Sequence, residues 1–223
     1  METGTGVTRA LLEAKKHKIH ALNMSYGEAA GVSNTGLFMD LANELVREHG
    51  VILVGSAGNN GPAMSTTGSP GGTTDGYISV GAYWSPRMAE LQYSSLSGAD
   101  RKEGEALPGL EEGRNYTWSS VGPRPAGDRG VYVMAPGGAN TSLPLWTQQR
   151  SMLMNGTSMS SPTACGCIAL ILSGCIAEGI AFTPCRVRRA IEHSAKKLPK
   201  VHPLAQGHGL LQVSDAFAYL KSQ

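Results

Sequence analysis

The sequence predicts an α/β fold, a parallel sheet flanked by helices, on three observations. Between residues 19 and 54 a strand-like run, a helical run and a second strand-like run follow one another. That alternation is how parallel sheets with crossover helices are written. Val51-Ile52-Leu53-Val54 is unbroken apolar sequence, as in a strand buried on both faces. Residues 158–172 are almost wholly apolar at helical length, with no polar face, so this helix is expected at the centre and buried.

Taken in order, Val7, Ala10, Leu11 and Ala14 recur at helical spacing, and Lys15, Lys16 and Lys18 sit where cations suit the helix dipole. Residues 19–24 form a short strand closed by Ser25-Tyr26-Gly27. Residues 35–49 form an amphipathic helix with Leu37, Leu41, Leu45 and Val46 on one face and Gly50 as its stop. After the 51–54 strand, residues 58–76 read as a loop of glycine and small polar residues, and 77–81 as another strand. The charged stretch 97–115 reads as a solvated loop without chemistry. Val131-Tyr132-Val133-Met134 supplies a later strand, and Pro184 opens a helix over 186–198 whose cations face outward. Neither a repeat nor a linker divides the chain, so residues 1–223 are expected to belong to one domain.

Composition narrows the function classes. The net charge is +2, too small for a field that gathers nucleic acid or anionic membrane. Glycine, 29 of 223 residues, is well above its usual share of about 7%. Such a chain needs many tight turns and close backbone approaches. The apolar runs are shorter than the roughly 18 residues of a membrane span, and the first residues lack the basic start and apolar stretch of a secretory signal. Cys165, Cys167, Cys175 and Cys185 cluster within 21 residues, which suits reduced thiols in a cytoplasmic protein better than a disulfide framework. Their spacing also argues against zinc. Neither a metal nor another cofactor is expected.

Two segments concentrate chemistry-bearing residues. In residues 55–62, Gly-Ser-Ala-Gly-Asn-Asn-Gly-Pro, a buried strand ends in a turn of small residues. In residues 155–162, Asn-Gly-Thr-Ser-Met-Ser-Ser-Pro, a turn feeds the apolar helix. One serine there would be an ordinary N-cap. Thr157, Ser158, Ser160 and Ser161 together exceed what capping needs. A hydroxyl at a helix N-terminus also gains from the positive dipole end as an oxyanion forms.

Residues 155–162 resemble the nucleophile motif of the subtilisin-like serine proteases. Asn23-Met24-Ser25-Tyr26-Gly27, Ala57-Gly58-Asn59, Ser119-Ser120-Val121-Gly122-Pro123, Met134-Ala135-Pro136-Gly137 and the closing Gly207-His208-Gly209 segment are similar to that family's other marks, in the same order. Glu28, residues 68–74, Thr117-Trp118 and Ala205-Gln206 resemble its tripeptidyl-peptidase branch, which comprises large cytosolic exopeptidases. The resemblance implies that Ser158 is the nucleophile and that Asn59 donates to the oxyanion beside the Ser158 N–H. It implies that Ser25, Tyr26 and Gly27 pair with substrate as an added strand, and that Ser56, Ala57 and Gly58 line the P1 pocket. Glu28 and Glu2 would hold the terminal ammonium, the stop that an exopeptidase requires. Asn60 is read as a turn former only. The partners implied are peptides with a free N-terminus and, in the full-length family, further copies of the chain; nucleic acid and membrane are not expected.

The family's base and orienter are absent. Such enzymes use Asp, His and Ser in that chain order. No Asp-[Ser/Thr]-Gly or His-Gly-Thr-His occurs, and none of the histidines 17, 20, 49, 193, 202 and 208 has the glycine-flanked setting of the base. Thr163 stands where many members carry a histidine. The expectation is therefore the second part of a catalytic domain, an incomplete subtilisin-like sheet starting at an internal methionine. By itself it should be inactive and fold poorly. The runner-up readings are an endopeptidase fragment and a non-catalytic peptide-binding product.

Overall fold

The computed structural model describes residues 4–29, 31–92 and 112–223. In chain order the elements are α1 (Gly4–Lys16), β1 (Ala21–Met24), β2 (Gly27–Ala29), α2 (Leu37–Arg47), β3 (Ile52–Ser56), β4 (Gly68–Pro70) and β5 (Tyr77–Trp84). There follow α3 (Pro86–Gln92), β6 (Arg114–Asn115), β7 (Val133–Pro136), β8 (Gly138–Ser142), β9 (Ser151–Asn155), α4 (Thr157–Ala177), α5 (Pro184–Ser194), α6 (Pro203–Gln206) and α7 (Val213–Lys221).

The main sheet runs β1-β3-β5-β7 with every pairing parallel, and β6 adds antiparallel to the end of β5. Alternation within each strand sorts its side chains between two cores. Ile52, Val54, Ile78, Val80, Val133 and Ala135 face α4, α5 and α7, where they meet Ile168, Ile171, Val187 and Leu220. Leu53, Met24 and Tyr77 face the opposite way, onto Leu11 of α1 and Leu41 and Leu45 of α2. Burial on both faces is why these strands read as continuous apolar sequence.

Four features depart from the sequence expectation. The 58–76 loop holds a strand, β4, which pairs antiparallel with β2 through Gly27–Pro70, Glu28–Ser69 and Ala29–Gly68. Glycines make this possible: a Cβ on Gly68 would stand 2.9 Å from the Glu28 carbonyl oxygen, and one on Gly27 would stand 2.8 Å from that of Ser69. Second, β8 and β9 form a hairpin not foreseen from the sequence, with Leu145 and Trp146 fully outside at its tip. Third, α7 adds a helix beyond those expected: Val213, Ala216, Phe217 and Leu220 have helical spacing, with Asp215 in the first turn and Lys221 in the last.

The fourth departure concerns α4. It is central, touching β1, β3, β5, β7 and α7, but it is not buried all round. Ala164, Ile168, Ile171, Leu172 and Cys175 are inside, while Pro162, Gly166, Ala169, Leu170, Ser173 and Ile176 face outward. With 21 residues and a mean hydropathy of 1.6 it also has the length and composition of a membrane span, contrary to the expectation from apolar runs. Its inner face closes the larger of the two cores, which marks it as a core helix of the sheet rather than a lone span.

The 97–115 stretch lies mostly outside the described residues; its end, Arg114–Asn115, is β6. The four cysteines are free thiols, and Cys185 is exposed rather than packed. Burial raises the pKa of Cys165 and Cys167.

Candidate active site

The chemistry-bearing residues converge where the carboxyl ends of β1 and β3 meet the N-terminus of α4. Crevices at strand carboxyl ends are the usual ligand sites of open parallel sheets. Ser158 is the second residue of α4 and half-buried. Its hydroxyl donates to the Ser25 carbonyl oxygen at 3.3 Å, directly beyond β1. At this position in a helix the backbone N–H has no intrahelical acceptor, so it is free to meet an incoming oxyanion.

Asn59 reaches the same point from the end of β3. Its Oδ1 accepts from the Thr157 N–H at 2.9 Å and from the Thr157 hydroxyl at 2.8 Å. With its oxygen so held, the amide group can turn only its Nδ2 donor elsewhere, and that nitrogen lies 3.5 Å from where a Cβ on Gly156 would stand. The Thr157 hydroxyl also accepts from the Gly58 N–H at 3.2 Å. Thr157 thus ties the β3 turn to the start of α4, a role its place in the sequence does not announce.

A second tether runs from α4 to β1. The Ser161 hydroxyl donates to Asn23 Oδ1, and Asn23 Nδ2 donates to the Ser25 hydroxyl at 3.0 Å. The hydroxyl cluster at 157–161 is therefore divided: Thr157 fixes Asn59, Ser161 fixes Ser25 through Asn23, and Ser158 is left facing the cleft. Asn60 behaves as a turn residue, its N–H bonded to the Ser120 hydroxyl at 3.1 Å.

The remaining candidates are placed unequally. Glu28 lies on β2, exposed, and borders a cavity of about 230 Å³ lined by Val7, Tyr26, Phe38, Met39 and Pro70. Gly27 belongs to β2, so one edge of the expected substrate strand is taken by β4 and the other is unpaired among the described residues. Ser56 and Ala57 are almost wholly buried, and Gly58, at φ 112°, packs where a side chain would strike Ser120 Oγ at 2.7 Å. Glu2 lies outside the described residues.

No histidine among the described residues reaches Ser158. His17 and His49 pair with Glu13 and Glu44, His193 stacks on Tyr219, His20 meets Phe182, His202 caps α6, and His208 contacts Arg129. One trio with ligand atoms within 4.8 Å of one another, Glu44, Glu48 and His49, sits at the surface end of α2, where Lys15 already engages Glu44.

The model of peptidase S8, the subtilase family, matches residues 1–209. The chain belongs to the subtilase family. It is 51% identical to "Tripeptidyl-peptidase 2" of Oryza sativa subsp. japonica over 98% of its own length, and 51% identical to the protein of that name from Arabidopsis thaliana over 99%. It spans only 16% and 15% of those two relatives. Among solved structures, the crystal structure of tripeptidyl peptidase 2 superimposes with a TM-score of 0.75 at 39% identity, covering 99% of this chain and 16% of that one. The prenylagaramide maturation protease PagA, at 20% identity and a TM-score of 0.72, shares the fold. This subtilase's parallel sheet and flanking helices are thus those of serine peptidases, and its hydroxyl-rich α4 start falls within the matched region.

Proposed function

We propose that the chain carries the nucleophile, oxyanion donor and substrate edge of a serine exopeptidase that releases tripeptides from free N-termini. One observation carries this reading: Thr157 pins the Asn59 amide by its oxygen, beside the hydroxyl and free N–H of Ser158. That arrangement suits acyl transfer. Ser158 Oγ would attack the scissile carbonyl carbon, and its oxygen would take up negative charge against Asn59 Nδ2 and the Ser158 N–H. The proton of the Ser158 hydroxyl would pass to the catalytic base and from it to the leaving nitrogen, so that collapse expels the amine and leaves an acyl-serine for water to hydrolyse.

The tripeptide product is supported by the name of the relatives above and by the surroundings of Glu28. A carboxylate at the rim of an apolar cavity, on the strand that follows Ser25, is placed to pair with a terminal ammonium. Glu2 is proposed as its companion. The P1 side chain is assigned to the wall formed by Ser56, Ala57 and Gly58. The base and its orienting carboxylate must come from outside these 223 residues, so the isolated chain is inactive. An unassisted serine hydroxyl is a poor nucleophile at neutral pH.

The test compares tripeptide–chromophore substrates with free and acetylated N-termini, using the full-length gene product. Preference for the free amine, lost in Glu28→Gln, is the expected result. Equal cleavage of both substrates would make the protein an endopeptidase and remove the anchor role.

A further inference from the structure

Away from Ser158, two contiguous cavities open beside the starts of β5 and α5. One, of about 240 Å³, is lined by Gly71, Gly72, Ser79, Arg124, Arg129 and Arg188 among others. The second, of about 390 Å³, includes Arg47, Arg188, Arg189, Glu192 and His208. Asp75, Tyr132 and Arg188 border both. Five arginines and no lysine line this groove, against the three carboxylates Asp75, Asp128 and Glu192. That excess of two positive charges equals the formal net charge of the whole chain, +2.

Their pairing is uneven. Arg124 is saturated, held by Asp75 and Asp128 with its side chain 10% exposed. The other four, Arg47, Arg129, Arg188 and Arg189, form no ion pair among the described residues. Arg188 donates to the Asp75 carbonyl oxygen at 2.6 Å and lies 4.5 Å over the Tyr132 ring. Arg129 rests on the His208 ring, 3.0 Å from Nε2. At the floor, the Ser79 hydroxyl is buried, the residue 3% exposed, and has no hydrogen-bond partner among the described residues. A buried polar group without a partner is costly unless a ligand or water completes it.

We propose that this groove is a binding site for a phosphate group, either inorganic phosphate or a phosphate monoester. A tetrahedral dianion takes several donors at once. Guanidinium groups meet phosphate with two parallel N–H bonds each, a geometry lysine does not offer. The Ser79 hydroxyl would donate from below. The surrounding field fits: His208 is held to about pH 4 by burial, with Arg129, Lys197 and Arg188 adding to it and Glu192 opposing. It is neutral at pH 7 and leaves the arginines as the charge that an anion would meet. A monoester's organic part would enter the second cavity.

Calorimetric titration of the full-length gene product with inorganic phosphate, adenosine monophosphate and acetate tests this. Saturable binding of phosphate or the monophosphate, with acetate much weaker, is expected. Arg129→Gln and Ser79→Ala should each weaken it by about tenfold, the size of one charge-assisted hydrogen bond, while Arg9→Gln on exposed α1 should not. Tighter binding of adenosine monophosphate than of phosphate would assign the second cavity to the organic part; equal binding would make free phosphate the ligand. Absence of saturable binding, binding of acetate as tight as phosphate, or affinity unmoved in both groove variants would overturn the proposal. These readouts do not involve Ser158, so the peptidase reading stands or falls separately.

Discussion

Thr157 is the residue on which the candidate site turns. It is buried, it bonds both Gly58 and Asn59, and it stands next to the nucleophile. Thr157→Val keeps the shape and removes the hydroxyl, leaving the Gly58 N–H and one Asn59 lone pair unmatched. In the full-length gene product kcat should fall by about tenfold with KM little changed, since an unmade hydrogen bond of this kind costs about 1–3 kcal/mol. Asn59→Ala should cost more, about 10²–10³ in kcat, the figure established for the oxyanion asparagine of subtilisin itself. Steady-state kinetics on a tripeptide–chromophore substrate measures both. Ser158 stands out in the sequence by the hydroxyls crowded at its helix start, whereas Asn59 is singled out only by the resemblance to subtilisin-like proteases. The clamp between them is not legible there, because its partners are 98 residues apart and meet only when α4 docks on β3. His208 carries a prediction of another kind. Its folded pKa, about 4, lies below its ordinary 6.5, so the unfolded chain takes up the proton first as pH falls. The stability contributed by neutral His208 is complete above pH 6.5 and is lost progressively toward pH 4. His208→Gln should flatten that part of a melting-temperature profile; an unchanged slope would show that His208 takes up its proton alike in the folded and unfolded chain.

At the scale of elements, the parts that read well were those with a strong period or an unbroken apolar run. The strands at 21–24, 52–56 and 77–84 and the helices α1, α2 and α4 fall where the pattern put them, within a few residues at each end. What escaped was structure set by pairing. β4 is three residues, Gly-Ser-Pro, with no strand propensity; it is a strand only because β2 lies beside it. The hairpin β8–β9 has no buried face, its Met152, Met154, Leu145 and Trp146 standing exposed, so it lacks the in-and-out alternation by which a half-buried strand shows itself. The α4 pattern misled in one respect. A helix apolar all round was read as buried all round, yet half its circumference faces outward. The β2–β4 pair gives this level its own test. Gly68 approaches the Glu28 backbone so closely that Gly68→Val must push the strands apart, at a cost of about 1–3 kcal/mol for overpacking. If β4 positions Glu28 against the substrate's amine, this variant should raise KM for free-amine tripeptide substrates while sparing most of kcat. A fall in kcat alone would mean that β4 supports the Ser158 cleft rather than the amine end.

For the whole molecule, the decisive feature is apolar surface without a cover. Leu170 and Ile176 stand 65% and 58% exposed on the outer face of α4, flanked by Gly166, Ala169 and Ala177. Beside them, β1 is an edge of the main sheet, bonded to β3 on one side only among the described residues. An apolar strip, broken here only by Ser173, and a bare strand edge are surfaces through which soluble chains readily associate. The 223-residue chain made alone should therefore self-associate, through hydrophobic contact along α4 and strand pairing along β1. The two routes can be separated. Leu170→Lys with Ile176→Lys replaces exposed apolar groups with good helix formers on the side away from the two cores, so the fold should be kept. It should shift the chain toward monomer in sedimentation velocity, with its circular dichroism unchanged. If association persists in that variant, the open β1 edge rather than the helix face is responsible. A wild-type chain that sediments as a monomer would sink the argument, because it would mean that these exposed faces are too small or too dispersed to drive association.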